Sequence, residues 1–353
     1  MHICYLLMSS ELCGGVRVVF DQARFLKQRG HQVSIRALRG AHNWYPYPLD
    51  IEYVSDLAEP FAGPPPDVLI ATFWLTVEPA LRLGIPRTLH LCQGYEGDIR
   101  EYREIRPQIE ATYRHPIPKL TIGPWLVERL HQAFGPAAFT MHDIGQIVDV
   151  DMYTPPAQPW QRWLRRLRQA PWRVLIVGQY GIDVKAIGDA LHAVRILRER
   201  GARIELLRVS TAAPGEKELA ITPINAYHVA IPPTVIHTLI CSADAALAPS
   251  LEGEGFGLPL AEALACGIPC VATRIASFTR FAPEADYAVF AQPGNPASLA
   301  EGLQSILDNG ALRRRLRRRG PTIIRQSYSG PAIAQRLEDV LMQPDSPARS
   351  PTS

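Results

Sequence analysis

Residues 248–273 read APSLEGEGFGLPLAEALACGIPCVAT. A strand end at Ala248 runs into a turn with glycines at 253, 255 and 257, then a helix from Pro259 to Ala265 and a strand from Ile268 to Thr273. Pro259 suits the first helical turn, where its missing N–H costs nothing and its φ is already helical. The glycines let the backbone approach a ligand closely, and the first N–H groups of the helix have no internal partners, so they can bind an anion. Glu254 and Glu262 bracket the turn with seven residues between them. Carboxylates so placed can reach sugar hydroxyls beside a bound phosphate, which makes a nucleotide-sugar site the first expectation.

Outward from this stretch, apolar runs rich in β-branched residues alternate with segments of helical period. Ile3–Met8 reads as a strand, Gly14-Gly15 as a turn opening a helix from Val16 to Gln28, and Val33–Leu38 and Val68–Thr72 as strands, with Leu89–Cys92 and Leu120–Ile122 as weaker ones. The alternation breaks after Val150 and restarts with Arg173–Val177, Ala186–Arg200, Ile204–Val209, Val235–Cys241 and Ala245–Ala248. Such alternation predicts parallel sheets covered on both faces. In a chain of 353 residues it predicts two doubly wound α/β domains, at 1–150 and 172–330, joined by a connector at 151–171. A closing helix at 331–345 and a polar tail at 346–353 complete the expected organisation.

Hydrophobic residues make up 47% and charged residues 20% of the chain, which suits a globular protein. Net charge is only +3, and its excess sits in the connector, where Arg162, Arg165, Arg166 and Arg168 face one acid, Asp151. No broad basic face suggests a nucleic-acid partner. Trp160, Trp163, Leu164 and Leu167 share one face of a connector helix; this reads as a hinge packing its aromatics, with peripheral membrane contact as the alternative. The run Arg313–Arg319 reads as a solvated helix face. No apolar run reaches 18 residues without a charge, so no spanning helix is expected, and the apolar start lacks the basic region of a signal peptide. The six cysteines form no CxxC pair, and Cys266 and Cys270 read as small hydrophobes in a reduced, cytoplasmic protein.

A helix terminus contributes only about 0.3–1 kcal/mol toward an anion, and two glutamates oppose it, so the site needs cations from elsewhere. Lys185 follows the loop at the carboxyl end of the Arg173–Val177 strand, the edge where open α/β sheets bind ligands.

PSLEGEGFGLPLAEALACGIPCVAT resembles the signature of retaining glycosyltransferases of family 4, with its E-x7-E element. Gly14-Gly15, IVGQYGIDVKAIGDAL and HVAIPPTVIHTLICSADAALAPS resemble that family's remaining segments in the same order. The resemblance implies a GT-B fold, two Rossmann-like domains facing each other across a cleft. It also implies sugar transfer with retention, and without metal, from a nucleoside-diphosphate sugar to a glycan, lipid-linked glycan or other hydroxyl acceptor. By motif position Glu262 would bind the ribose and Glu254 the donor sugar. Gly255, Phe256, Gly257 and Leu258 would meet the phosphates with Gly14 and Gly15, and Lys185 the pyrophosphate. The chain departs from the pattern at Gln179, where the family carries an arginine, and at Ala186, where glycine is common. Arg274 and Arg17 are the candidate replacements. FWLTVEPALRLGIPRTLHLCQGYEGD, with its Gln93-Gly94-Tyr95-Glu96 turn, is similar to a rhamnosyltransferase-like subgroup.

Asp149-Val150-Asp151 has the DxD form of a metal-binding pair but falls beside the connector. No G-x-G-x-x-G follows a strand, and no nucleophile elbow or zinc-spaced His/Cys set is present. The remaining readings are a nucleotide-sugar 2-epimerase-like enzyme of the same fold and a non-catalytic scaffold.

Overall fold

The computed structural model describes residues 1–157, 164–165 and 167–343. Two sheets form, and all their strand pairings are parallel. The first contains β1 (His2–Leu7), β2 (Gln32–Ala37), β3 (Ile51–Tyr53), β4 (Val68–Ala71), β5 (Thr88–Cys92), β6 (Lys119–Thr121) and β7 (Met141–Asp143), in the order β3-β2-β1-β4-β5-β6-β7. The second contains β8 (Trp172–Val177), β9 (Ile204–Ser210), β10 (Ala226–Val229), β11 (Ala245–Ala248), β12 (Cys270–Thr273) and β13 (Ala288–Ala291), in the order β10-β9-β8-β11-β12-β13. Strands such as β1 and β12 are near-continuous apolar runs because helices cover both faces.

The helices that bear on the site are α1 (Gly14–Gln28), α2 (Ile187–Glu199), α3 (Pro233–Ser242), α4 (Leu258–Ala265), α5 (Gly310–Tyr328) and α6 (Gly330–Met342). Strand order reverses between β1 and β4 in one sheet and between β8 and β11 in the other. Ligands of such sheets bind outside the strand ends at these reversals. The loops after β1, β8 and β11 are the three that carry Gly14-Gly15, Lys185 and Glu254.

The two halves share a core. One apolar cluster runs from Ile3 and Tyr5 through Tyr153 to Phe256, Phe278 and Phe281. The chain also returns to its start, since α6 lies on α1, with Glu338 bonded to Arg29 and to His31 Nε2 at 2.9 Å. Arg87 donates to the Val340 and Gln343 carbonyls at 3.0 and 2.6 Å.

Two expectations change here. The Arg313–Arg319 run lies within α5 but is only partly a solvated face. Arg314, Arg315 and Arg318 are exposed, whereas Arg313 caps the Ile306 and Leu307 carbonyls, Arg319 pairs with Asp286 and Leu316 is buried. The connector tryptophans Trp160 and Trp163, with Arg162 and Arg166, lie outside the described residues, as does the 346–353 tail.

Helix α5 supports the site from behind. A Cβ at Gly320 would stand 2.7 Å from the Leu264 carbonyl oxygen in α4. Gly320→Ala is therefore expected to destabilise by about 1–3 kcal/mol through overpacking. That outweighs the roughly 1 kcal/mol by which alanine favours an exposed helix. Urea unfolding checks the sign.

Candidate functional site between the two sheets

A cavity of about 660 Å³ opens between the strand-end loops of the two sheets, a size suited to a small organic ligand. From the first half it is lined by Gly14, Gly15, Arg17, Gln93 and Gln146. From the second it is lined by Gly178, Gln179, Lys185, Glu254, Gly255, Phe256, Gly257, Leu258 and Glu262. The ten residues Gly14, Gly15, Gln179, Lys185, Glu254, Gly255, Phe256, Gly257, Leu258 and Glu262, named from the motifs, thus border one space.

The loop after β11 is shaped by its glycines, though not as the sequence suggested. Gly255 passes so close to the first half that a Cβ there would lie 2.5 Å from the Gln93 carbonyl oxygen. Its missing side chain admits another loop of the protein, in addition to any ligand. Gly257 has φ +76°, and a Cβ would collide with the Phe278 ring. This left-handed residue is the N-cap of α4, whose first turn then points into the cavity. Phe256 turns inward onto Phe281 and Tyr328, at ring distances of 5.1 and 5.3 Å.

Lys185 and Glu254 meet in a bidentate pair, with Nζ 2.8 and 2.7 Å from the two carboxylate oxygens, and Ser250 Oγ donates to Oε2 at 2.8 Å. Lys185 closes the short 3-10 turn Asp183–Lys185 and does not begin the next helix. Ala186 follows with φ +44°, and α2 starts at Ile187. An alanine in the left-handed region costs energy where glycine would not. Gln179 Oε1 accepts from the Thr211 hydroxyl at 2.8 Å.

Of the two arginines proposed to replace the one absent at Gln179, only Arg17 reaches the cavity. Arg274 is over half exposed, pairs with Glu284 and lies outside the cavity lining. Arg17, one turn into α1, crosses between the halves and donates to Glu262 Oε1 at 2.5 Å and to the Tyr153 hydroxyl at 3.2 Å. Its Nε is 3.7 Å from Asp21. Arg17 is therefore committed to protein carboxylates, leaving Lys185 as the other cation in the lining. Burial raises the Glu262 carboxyl above the usual range although Arg17 opposes the shift. Burial also raises Asp21, to about 6, because Arg17 is closer to Glu262 and relieves Asp21 less.

Other readings are resolved by position. Asp149 is fully buried and held by Arg24 at 2.5 Å, by the Tyr47 hydroxyl and by the N–H groups of Asp151 and Met152, while Asp151 is exposed. That carboxylate caps a turn and does not form a metal pair. The Gln93–Glu96 turn is split. Gln93 donates to the Gly15 carbonyl at 3.1 Å, whereas Glu96 accepts from Tyr113 at 2.5 Å and is absent from the cavity lining. His90 is buried against Tyr113, and neither ring nitrogen has a partner among the described residues. Its pKa is pushed well down by desolvation and by Lys119, so it is a neutral core residue. Tyr153, Asp21 and Gln146 escaped the sequence reading. Gln146 is wholly buried at the cavity wall with both amide atoms unpartnered among the described residues. No local pattern marks them.

Removing one member of a buried ion pair strands the other, so Arg17→Met is expected to lower stability by about 3–5 kcal/mol. Arg17→Met/Glu262→Leu should recover most of that loss, as denaturant titration will show. For Asp21, a folded pKa of about 6 lies above the ordinary 3.8. Its contribution is then fully present below pH 3.8 and lost as pH rises through 6. Relative to wild type, Asp21→Asn should gain on the order of 3 kcal/mol across that window, read from unfolding midpoints at stepped pH.

The profile of the family Glycosyl transferases group 1 matches residues 171–309. The MMP alpha-(1->4)-mannosyltransferase of Mycolicibacterium hassiacum is 30% identical over 168 residues, covering 46% of this chain and 41% of the relative. The glycogen synthase of Mycobacterium tuberculosis is 24% identical over 306 residues, covering 81% and 71%. The chain thus spans less than half the length of the mannosyltransferase. Among solved structures, Anabaena HepE in complex with UDP and glucose superposes with a TM-score of 0.77 at 14% identity, over 97% of this chain and 99% of that one, a likeness of fold. None of these findings reaches the rhamnosyltransferase-like subgroup. The match over the second sheet, the relative aligned across most of the chain and the two facing parallel sheets agree with the sequence motifs: residues 171–309 match the group 1 glycosyltransferases, and the chain as a whole has the GT-B fold.

Proposed function

We propose that this chain transfers a sugar, with retention, from a nucleoside-diphosphate sugar to a hydroxyl of a glycan or lipid-linked glycan, in cell-surface polysaccharide or glycoconjugate synthesis. The observation that carries the reading is the convergence on one cavity of the α4 and α1 N-termini, the Lys185–Glu254 pair and Glu262. The diphosphate lies against the exposed N–H groups of both helix starts, where negative charge is favoured. Lys185 supplies the full positive charge that these partial charges lack, stabilising the leaving diphosphate as the sugar bond breaks. Glu254, held by Lys185 and Ser250, accepts from donor-sugar hydroxyls, and Glu262 from the ribose. The leaving diphosphate takes the acceptor proton on the face of attack, so no protein base is required. Gln93 and Gln146, amides on the opposite wall, suit an acceptor hydroxyl. No described helix is long and apolar enough to cross a membrane. We place the reaction on the cytoplasmic side, with the connector around Trp160 and Trp163 as the segment that would touch a membrane surface.

Gln179 favours a second reading, a binding scaffold that retains the fold without turnover. A panel of UDP-, GDP-, ADP- and dTDP-sugars, scored by nucleoside diphosphate release with and without a hydroxyl acceptor, separates the readings. Transfer predicts release that depends on the acceptor; binding without release supports the scaffold, and an epimerised donor without acceptor supports epimerase chemistry. Lys185→Ala is expected to lower turnover by about 10²–10³-fold. Its stability should fall by only about 1–2 kcal/mol, because Ser250 still bonds the carboxylate. Glu262→Ala should weaken nucleotide binding by about 10–100-fold; unchanged affinity by calorimetry would remove the ribose assignment.

A further inference from the structure

Behind the cavity, three side chains far apart in sequence converge. His237 and Cys241, one helical turn apart on α3, share a face. Cys266 caps the C-terminal end of α4. His237 Nε2 lies 3.2 Å from Cys241 Sγ, and the ligand atoms of all three residues fall within 4.8 Å of one another. The Thr154 carbonyl from the connector stands 3.1 Å from His237 Nε2 and 3.5 Å from Cys241 Sγ.

We propose that His237, Cys241 and Cys266 form a binding site for one thiophilic divalent cation, Zn²⁺, with the Thr154 carbonyl or a water as fourth donor. Two sulfurs and one imidazole form a donor set that suits Zn²⁺ and excludes the oxygen-seeking Mg²⁺ and Ca²⁺. The spacing is close to that of a tetrahedral site, and a small inward movement of the side chains completes it. Charge is balanced as well. Both thiols release their protons to solvent, the imidazole binds neutral through Nε2 with its proton on Nδ1, and the two thiolates cancel the charge of the cation. A neutral centre is what a partly buried location tolerates. Cys266 is fully buried, while His237 and Cys241 are half-buried, so the site has a closed floor and a path for entry. The Tyr153 ring packs edge-on against His237 at 6.0 Å and fixes its approach.

The position gives the cation a consequence. It ties the connector, through Thr154, to α3 and α4, and the adjacent Tyr153 is the residue whose hydroxyl meets Arg17. Binding therefore braces the junction that brings the two halves together, independently of which sugar the cavity takes.

The test uses the full chain, stripped of metal under reducing conditions and titrated with Zn²⁺ against a chromophoric chelator. One equivalent is expected to bind, with affinity that falls as pH is lowered because two protons are displaced. Co²⁺ in its place should give a thiolate-to-metal charge-transfer band. Cys241→Ser and His237→Gln, both at half-buried positions, should each weaken binding by more than about 100-fold, since even the outer partners of metal ligands are worth 10–100-fold. They should also abolish a rise in Tm with Zn²⁺. Near-unchanged far-ultraviolet circular dichroism of the metal-free variants shows that they fold. Absence of the equivalent, or binding of equal strength in wild type and both variants, would each overturn the proposal.

Discussion

The buried contact between Arg17 and Glu262 is the constraint on which the rest of the site depends. Arg17 comes from the first turns of α1 and Glu262 from the middle of α4 in the other sheet, and they meet at 2.5 Å where both are largely removed from water. Separating them would leave two buried charges without compensation, a cost far larger than the pair's net worth beside an apolar substitute. Its effect is therefore one of register. The halves must sit so that Arg17 reaches Glu262, Tyr153 closes on Arg17 and Gly255 passes the Gln93 backbone. With that register set, the exposed ends of α1 and α4 face the same cavity.

The charges of the cavity follow from this. Three carboxylates, at Glu254, Glu262 and Asp21, lie in or near the cavity proposed to take a nucleoside diphosphate, and each is answered from within the protein. Lys185 takes Glu254, Arg17 takes Glu262, and Asp21, the least compensated, has its proton held up to about 6. In the proposed reaction an incoming diphosphate would meet Lys185 and two helix N-termini before it meets uncompensated negative charge. Gln179 needs no charge to occupy its place in the loop, since Thr211 anchors its amide.

Much of this was legible in the sequence because it depends on local chemistry. The apolar runs at Val33–Leu38, Ala245–Ala248 and Ile268–Thr273 announce strands, since a strand covered on both faces has little room for polar residues. The short strands β3, β7, β10 and β13 escaped the reading. They lie toward sheet edges, where IEY, MHD and AYHV carry polar side chains and no periodic apolar signal. Among site residues, Glu254, Glu262, Lys185 and the glycines sit in compact motifs at fixed offsets. Tyr153, Asp21 and Gln146 do not. Each is an ordinary residue in an ordinary segment, and its role exists only because a distant part of the chain folds onto it.

The sequence by itself determined the two parallel α/β layers, the position of the glycine-rich turn and the likeness to the group 1 glycosyltransferases, because these rest on periodicity, turn chemistry and spacing over tens of residues. Tertiary structure alone decided that Arg17 reaches the site and Arg274 does not. It also decided that Gly255 makes room for the Gln93 backbone, and that His237, Cys241 and Cys266 form a cluster where the linear spacing shows none. The opening turn at 248–273 thus specifies half of a site from within itself. Its other half is fixed by long-range packing, which sets distances between residues such as Arg17 and Glu262 that no local pattern encodes.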